Sequence, residues 1–181
     1  MKRGFVLMLA AAMALGMTAC GGGEVSSEGR IGDTMETYFF DFTINSASLA
    51  GEYAGRTPEP GNALLVAEVT VKNTYRESIE MYDTDFQLGW GDAEEDYCYP
   101  ITTDPETYEE LEPVGEAQLP GTYQLAVDEV RTGELVYEVP AGRADFSIGY
   151  LEMFDDGTEE GDTGDAYFVY FTARENAAAS V

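Results

Sequence analysis

The sequence predicts an all-β fold, an antiparallel β-sandwich with Greek-key connections and about seven to nine strands. Three observations predict it. Apolar residues alternate with polar ones over short runs, no long helical period appears, and turns rich in Gly, Pro and Asp separate the runs. An up-and-down barrel is the alternative, because closure removes sheet edges. The long Pro-rich loops favour Greek-key connections instead.

The first strands are predicted from the side-chain pattern between residues 40 and 73. Phe40, Phe42 and Ile44 alternate with polar residues, which indicates a strand with one wet face. Residues 56–61 (RTPEPG) contain two prolines and a glycine, so they form a loop. The run Ala63–Asn73 is apolar on both faces in its first half and alternates in its second, as expected of a central strand.

The remaining strands follow the same logic. Ile79–Met81 is a short strand, Asp83 is a turn residue, and Phe86, Leu88 and Trp90 share one face of the next strand. Residues 103–121 are acidic and contain three prolines, so they form a long loop. Further strands are predicted over Tyr97–Thr102, Thr122–Val130, Gly133–Val139, Asp145–Phe154 and Ala166–Thr172.

The N-terminus has the layout of a secretory signal. Lys2 and Arg3 precede an apolar run, Phe5–Leu15, that is too short to span a membrane. The following Met17–Cys20 (MTAC) resembles the lipobox of bacterial lipoproteins, although the first lipobox position is usually Leu. The resemblance implies cleavage before Cys20 and attachment of diacylglycerol to its thiol. Two acyl chains give stable membrane anchoring.

These features divide the chain into four parts. We expect residues 1–19 to be a lipoprotein signal peptide, residues 20–30 a flexible tether from the lipidated cysteine, residues 31–173 the β-sandwich, and residues 174–181 a disordered tail. The mature protein would then lie outside the cytoplasm, anchored through Cys20 to the outer surface of the cell membrane.

Composition excludes several classes of function. The chain has a net charge of −26, and loss of the first 19 residues removes two cations, so it repels nucleic acid. It contains no histidine, which rules out His-dependent triads and most zinc sites. No phosphate-binding loop motif follows a strand. We expect no cofactor, no catalytic residues and no enzymatic activity.

One acidic loop is a calcium candidate. Calcium takes six to eight oxygen ligands, and residues 155–165 supply closely spaced carboxylates between glycines. The spacing does not match an EF-hand, which favours the alternative of a solvated hairpin loop whose charges discourage edge pairing. The candidate ligands are Asp155, Asp156, Glu159, Asp162 and Asp165.

A second candidate site combines aromatic and acidic residues. Trp90, Tyr97 and Tyr99 flank the acidic loop 91–96 (GDAEED), a combination that can stack and hydrogen-bond a sugar. Trp90 is also in register with Phe86 and Leu88, which favours core packing for it. With Cys20 lipidated, Cys98 is the other cysteine, and it is interpreted as a buried small hydrophobe.

The order of short motifs is similar to that of a known domain. It carries IGDT at residues 31–34, FTINS at 42–46, GNALLVAEVTVKN at 61–73, LPG at 119–121 and GELVYEVP at 133–140. Together they resemble the telokin-like, immunoglobulin-like domain of unknown function that is common in lipoproteins of Gram-positive bacteria. This sequence departs from it by acidic insertions around residues 91–118 and 155–165. The resemblance implies an immunoglobulin-like sandwich at the cell surface and brings no activity with it.

The sequence therefore predicts a lipid-anchored, extracytoplasmic immunoglobulin-like module that is not catalytic and acts by binding a protein or associating with the envelope. Two alternatives stay open. The domain could bind a small ligand, carbohydrate or calcium, at its acidic loops, or, as the most remote alternative, use paired carboxylates as a hydrolase. The identity of a partner cannot be derived from the residues.

Overall fold

The computed structural model describes residues 26–93, 95–154 and 162–175. This part of the chain contains eleven strands and a single 3₁₀ turn at Asp83–Asp85. The all-β prediction is confirmed, and the strand number exceeds the prediction because several strands are very short. The strands are β1 (Ser26–Arg30), β2 (Thr34–Glu36), β3 (Phe40–Ala50), β4 (Asn62–Asn73), β5 (Ile79–Tyr82), β6 (Gln87–Gly89), β7 (Tyr97–Cys98), β8 (Thr122–Leu125), β9 (Val130–Pro140), β10 (Asp145–Phe154) and β11 (Asp162–Thr172).

Two sheets form the sandwich. One has the strand order β1-β11-β10-β6-β7, the other has the order β2-β3-β4-β9, and β5 and β8 form a separate ribbon. The pairs β4–β9 and β6–β10 join strands that are distant in sequence, so the chain crosses between the sheets as in a Greek key. All pairs are antiparallel except β1 with β11, which is parallel.

The core lies between the sheets and follows the predicted alternation. Phe40, Phe42 and Ile44 of β3 are buried, whereas the polar residues between them are partly exposed. Facing them from the other sheet are Leu88 and Ile148, both fully buried. An interior built this way from both sheets is what a two-layer sandwich requires.

Two strands are shorter than the sequence predicts. The predicted strand Tyr97–Thr102 ends at Cys98, because Pro100 has no N–H to donate to a ladder. The predicted strand Thr122–Val130 ends at Leu125. A turn in which the Glu129 N–H donates to the Ala126 carbonyl at 3.0 Å then redirects the chain into β9.

The tether prediction for residues 20–30 is wrong in its second half. Residues 26–30 form β1, which pairs in parallel with residues 166–170 of β11. The segment has little apolar surface, but its backbone groups gain partners from β11 and the Arg30 guanidinium lies 5.4 Å from the centre of the Tyr170 ring. The folded domain thus begins at Ser26 at the latest, before the predicted residue 31. Residues 20–25 lie outside the described part.

The prediction of a disordered tail over residues 174–181 is wrong for its first two residues. Glu175 forms a parallel bridge with Leu49, and the Leu49 N–H donates to the Arg174 carbonyl at 2.9 Å. These backbone hydrogen bonds tie the chain to the end of β3. Residues 176–181 lie outside the described part.

The outer strand β9 is covered by the long loop that precedes β8. In β9, the Val136 carbonyl accepts the Ile101 N–H at 2.7 Å. Glu134 forms backbone hydrogen bonds with the 117–119 segment. Gly133 permits this approach, because a Cβ there would lie 2.5 Å from a methyl carbon of Leu119. The loop thereby blocks the edge against pairing with another chain.

In the described part of the chain, no helix has the length and hydrophobicity of a membrane span.

Candidate functional site

A groove of about 590 Å³ opens beside β7, and we call it the tyrosine groove. Its wall includes three tyrosines from β7 and the loop after it, three glutamates and one arginine. These residues are Tyr97, Tyr99, Tyr108, Glu59, Glu95, Glu138 and Arg56. Grooves of this size are typical of ligand sites.

Strand β7 fixes the first two tyrosines. It pairs with β6, with Cys98 opposite Leu88, and Cys98 packs against the core. Because side chains alternate along an extended chain, Tyr97 and Tyr99 flank Cys98 on the other side. Their ring centres lie 5.9 Å apart at 88°. Burial, with smaller contributions from the neighbouring tyrosines, raises the pKa of Tyr99 to about 12, so this phenol stays protonated at neutral pH.

Tyr108 reaches the groove from the loop that precedes β8. Its ring centre lies 6.1 Å from that of Tyr99 at 79°, and 49% of its surface is exposed. Its backbone has φ = +57°, a left-handed conformation that costs a non-glycine residue energy. The Asp104 carboxylate supports this turn, since it accepts the N–H groups of Glu106 and Thr107 at 2.9 and 2.8 Å.

The charge of Arg56 in the groove wall is neutralised by the neighbouring Glu138. Arg56 donates to Glu138 at 3.4 Å, and the same carboxylate accepts the Glu59 N–H at 2.7 Å and the Asn62 side chain at 3.0 Å. Burial alone would raise the pKa of Glu138, but the hydrogen bonds from Asn62, Glu59 and Arg56 outweigh it and lower the pKa below its usual value. The Arg56–Glu138 pair therefore contributes no net charge.

The side chains of Glu59 and Glu95 are exposed. Among the described residues, neither carboxylate has a hydrogen-bond or ion-pair partner. With Arg56 and Glu138 paired, the groove carries a net charge of about −2 from these two groups. Such a site attracts cationic groups and repels anionic ones.

The structure separates the three aromatic residues that the sequence singled out. Tyr97 and Tyr99 lie together in the tyrosine groove. Trp90 is half-buried and packs against the hydrophobic core. Trp90 does not line this groove, which agrees with the core-packing alternative for that side chain.

The calcium prediction at the β10–β11 connection stays a prediction. Asp155, Asp156 and Glu159 lie outside the described residues. Asp162 is exposed at the start of β11, and Asp165 is half-buried with its backbone N–H donating to Glu152 at 3.2 Å. Within residues 26–93, 95–154 and 162–175, no three acidic or cysteine side chains are arranged to hold a metal ion.

Sequence reasoning missed the buried carboxyl groups. Glu152 is 4% exposed and accepts the Tyr38 N–H at 2.7 Å and the Tyr167 hydroxyl at 3.1 Å, which joins the β2–β3 turn to strands β10 and β11 of the opposite sheet. Asp83 is 2% exposed and accepts hydroxyl groups from Thr102 and Thr103. Nothing in the local pattern marks either residue as buried, because their partners are distant in sequence.

Cys98 is half-buried beside the groove, and we expect its thiol to react slowly. Burial, followed by the charge of Glu138, raises its pKa well above the usual value, so little thiolate is present at neutral pH. We expect Cys98 in a Cys20→Ala protein to react with Ellman's reagent at least about 100-fold more slowly than a free cysteine. Release to full reactivity in urea is the control, and fast labelling of the folded protein would contradict this assignment.

The architecture and the groove define an all-β sandwich domain with an open, aromatic and acidic surface site. The chain belongs to the family described as Domain of unknown function (DUF4352), whose profile matches residues 29–160.

Comparison with solved structures gives the same fold. The ycdA protein of Bacillus subtilis, described as a candidate lipoprotein, has a TM-score of 0.53 and 20% identity over 77% of this chain. The alignment spans only 38% of the length of ycdA. The yjhA protein of the same organism has a TM-score of 0.52 and 21% identity, over 78% of this chain and 97% of its own.

A β-sandwich protein from Clostridium difficile aligns over 86% of this chain and all of its own, with 13% identity and a TM-score of 0.45. No curated protein matches the chain.

Proposed function

We propose that the protein is a lipid-anchored, extracytoplasmic, non-catalytic binding module that presents the tyrosine groove to a protein partner in the cell envelope. The observation that carries the proposal is the placement of the groove at the end of the sandwich opposite to the start of β1. Anchoring at Cys20 would then hold one end at the membrane and direct the other end outward.

The start of β1 defines the first end. Ser27 pairs with Tyr167, and Tyr167 pairs with Tyr150. The Tyr150 ring lies 4.7 Å from that of Phe40, whose backbone is opposite Asn73, the last residue of β4. The N-terminal end of the sandwich therefore includes the last residue of β4.

The groove lies at the other end of the same strand. Asn62, the first residue of β4, lines it together with Glu138 near the end of β9. A strand of twelve residues spans roughly 36 Å. The six residue steps from Cys20 to Ser26 reach at most about 20 Å, so the groove would face away from the membrane.

Location at the cell surface rests on further support. The lipobox-like segment ends at Cys20, and one of the proteins with the same fold is described as a candidate lipoprotein from Bacillus subtilis. The telokin-like, immunoglobulin-like classification stays a prediction and is consistent with the two-sheet architecture.

Anchoring is tested by cell fractionation of two cysteine variants. We expect Cys20→Ala to move the protein from the membrane fraction to the soluble or secreted fraction, because it removes the lipidated thiol. Cys98→Ala is the matched control and should stay in the membrane fraction. A Cys20→Ala protein that remains membrane-bound, with its signal removed, would contradict the proposal.

Carbohydrate binding is a second candidate function for the same groove. The observation that favours it is that Tyr97 and Tyr99, both predicted from the sequence as sugar-contacting residues, line the groove with carboxylates beside them. Binding of oligosaccharides to the wild type but not to a Tyr99→Ala variant would support it.

A further inference from the structure

We propose that the tyrosine groove recognises a basic peptide segment, whose ammonium or guanidinium groups lie against the tyrosine rings and pair with the free carboxylates. This inference rests on the proposed function and deepens it, because it names the chemistry of the partner. Three features of the groove carry it: the angles between the rings, the charge, and the way the rest of the domain already uses its cations.

The rings form corners instead of a flat platform. Tyr97 and Tyr99 meet at 88°, and Tyr99 and Tyr108 meet at 79°. Perpendicular rings can surround a cation, which is attracted to the negative face of each ring within about 6 Å. A sugar ring stacks on one open aromatic face, and a neighbouring ring at a right angle restricts the area of that face. The geometry thus favours a compact cation over a saccharide.

The charge of the groove has the matching sign. Glu59 and Glu95 have no partner among the described residues, whereas Arg56 is already held by Glu138. A cation that enters between the rings therefore meets carboxylates that are free to pair with it. The net charge of −26 on the whole chain would accelerate the approach of a basic partner.

The domain shows the same chemistry elsewhere. Three arginine guanidiniums lie over tyrosine rings, at 4.9–5.5 Å from the ring centres: Arg30 over Tyr170, Arg76 over Tyr75, and Arg131 over Tyr123. Within the described residues, no such cation of this chain lies over Tyr97, Tyr99 or Tyr108. The groove tyrosines are therefore available to a cation that a partner supplies.

The size of the groove favours a peptide over a single ammonium ion. A volume of about 590 Å³ exceeds what one ammonium group fills and lies in the range of drug-sized ligands. Its wall mixes tyrosines with Ile101 and Leu111, which can contact the apolar stems of lysine and arginine side chains.

The test uses the full-length protein in detergent and two synthetic peptides. One is acetyl-Gly-Lys-Gly-Arg-Gly amide, and the other has Gln in place of Lys and Arg. We expect calorimetry to show binding of the cationic peptide that is at least about tenfold tighter than that of the neutral peptide, and that weakens as salt is added.

Two groove variants and one matched control locate the site. Tyr108→Leu should weaken binding of the cationic peptide about fivefold, and Glu95→Gln should weaken it by a similar factor. Tyr38→Leu is the control, because Tyr38 is also an exposed tyrosine, at 59%, in contact with other aromatic rings, but lies at the N-terminal end. It should leave binding unchanged.

Equal binding of the two peptides, or equal loss in Tyr108→Leu and Tyr38→Leu, would overturn the inference. Tight binding of a neutral oligosaccharide that Tyr108→Leu abolishes would overturn it in favour of the carbohydrate function. These outcomes do not bear on membrane anchoring, since the Cys20→Ala fractionation decides that part of the proposed function separately.

Discussion

Replacing Phe86 by alanine is expected to lower the free energy of unfolding by about 3–5 kcal/mol, the cost of removing a large buried aromatic side chain. Phe86 is fully buried and stands between the two sheets. Its ring contacts those of Phe40, Phe42 and Tyr150, at centre distances of 5.4–6.3 Å. Truncation leaves a cavity that three neighbouring rings line and cannot readily fill.

Urea unfolding followed by near-ultraviolet circular dichroism measures the loss. Phe154→Ala is the matched control, because Phe154 is half-buried in a second aromatic cluster with Tyr38 and Phe39 at the N-terminal end. It should cost clearly less than Phe86→Ala. Equal losses for the two variants would contradict the central role of Phe86 in the core.

The long strands were predictable because apolar and polar residues alternate along them, and this local pattern indicates which side chains are buried. Phe42, Val69 and Ile148 each occur in a period-2 pattern, and each is buried in the structure. The pattern fails where a strand is stabilised by its partner alone. Strand β1, with the sequence SSEGR, has no apolar alternation, and its backbone pairing with β11 makes it a strand.

The candidate site was predictable only in part for a related reason. Tyr97 and Tyr99 directly follow the acidic 91–96 loop in the sequence, so the local composition predicted a binding site there. Tyr108, Glu59 and Glu138 come from three other segments, and the fold alone brings them to the same groove. A single sequence contains no local signal that residues from distant segments will line the same groove.

Asp83 is another residue whose buried environment the sequence does not reveal. The sequence marks it as a turn residue, and the structure places it in a buried turn where it accepts hydrogen bonds from Thr102 and from Thr103, the latter at 3.1 Å. Burial raises the pKa of its carboxyl group to about 6, although the hydrogen bonds from Thr102, Thr103 and Thr84 oppose the shift.

The sign of the pH effect follows from the raised pKa. Between about pH 4 and pH 6 the unfolded chain has lost the Asp83 proton and the folded chain still holds it, so stability decreases as pH rises. The contribution of Asp83 is complete below about pH 4 and is lost as pH rises through about 6. A pKa difference of this size corresponds to about 3 kcal/mol.

Asp83→Asn removes this proton and keeps a polar side chain of the same shape beside the two threonines. We expect the free energy of unfolding of the variant, relative to the wild type, to rise by about 3 kcal/mol between pH 4 and pH 8. Burial raises the pKa of Asp85 to about 7, and the charge of Asp83 is a smaller cause of the same shift. Because burial is the larger cause and is present in both proteins, most of the Asp85 contribution cancels in the comparison. Asp92→Asn, an exposed loss of one charge, is the control and should show little pH-dependent change. If the Asp83→Asn difference were the same at every pH, the Asp83 carboxyl group would have to ionise in the folded protein as it does in the unfolded chain, and its burial would carry no electrostatic cost.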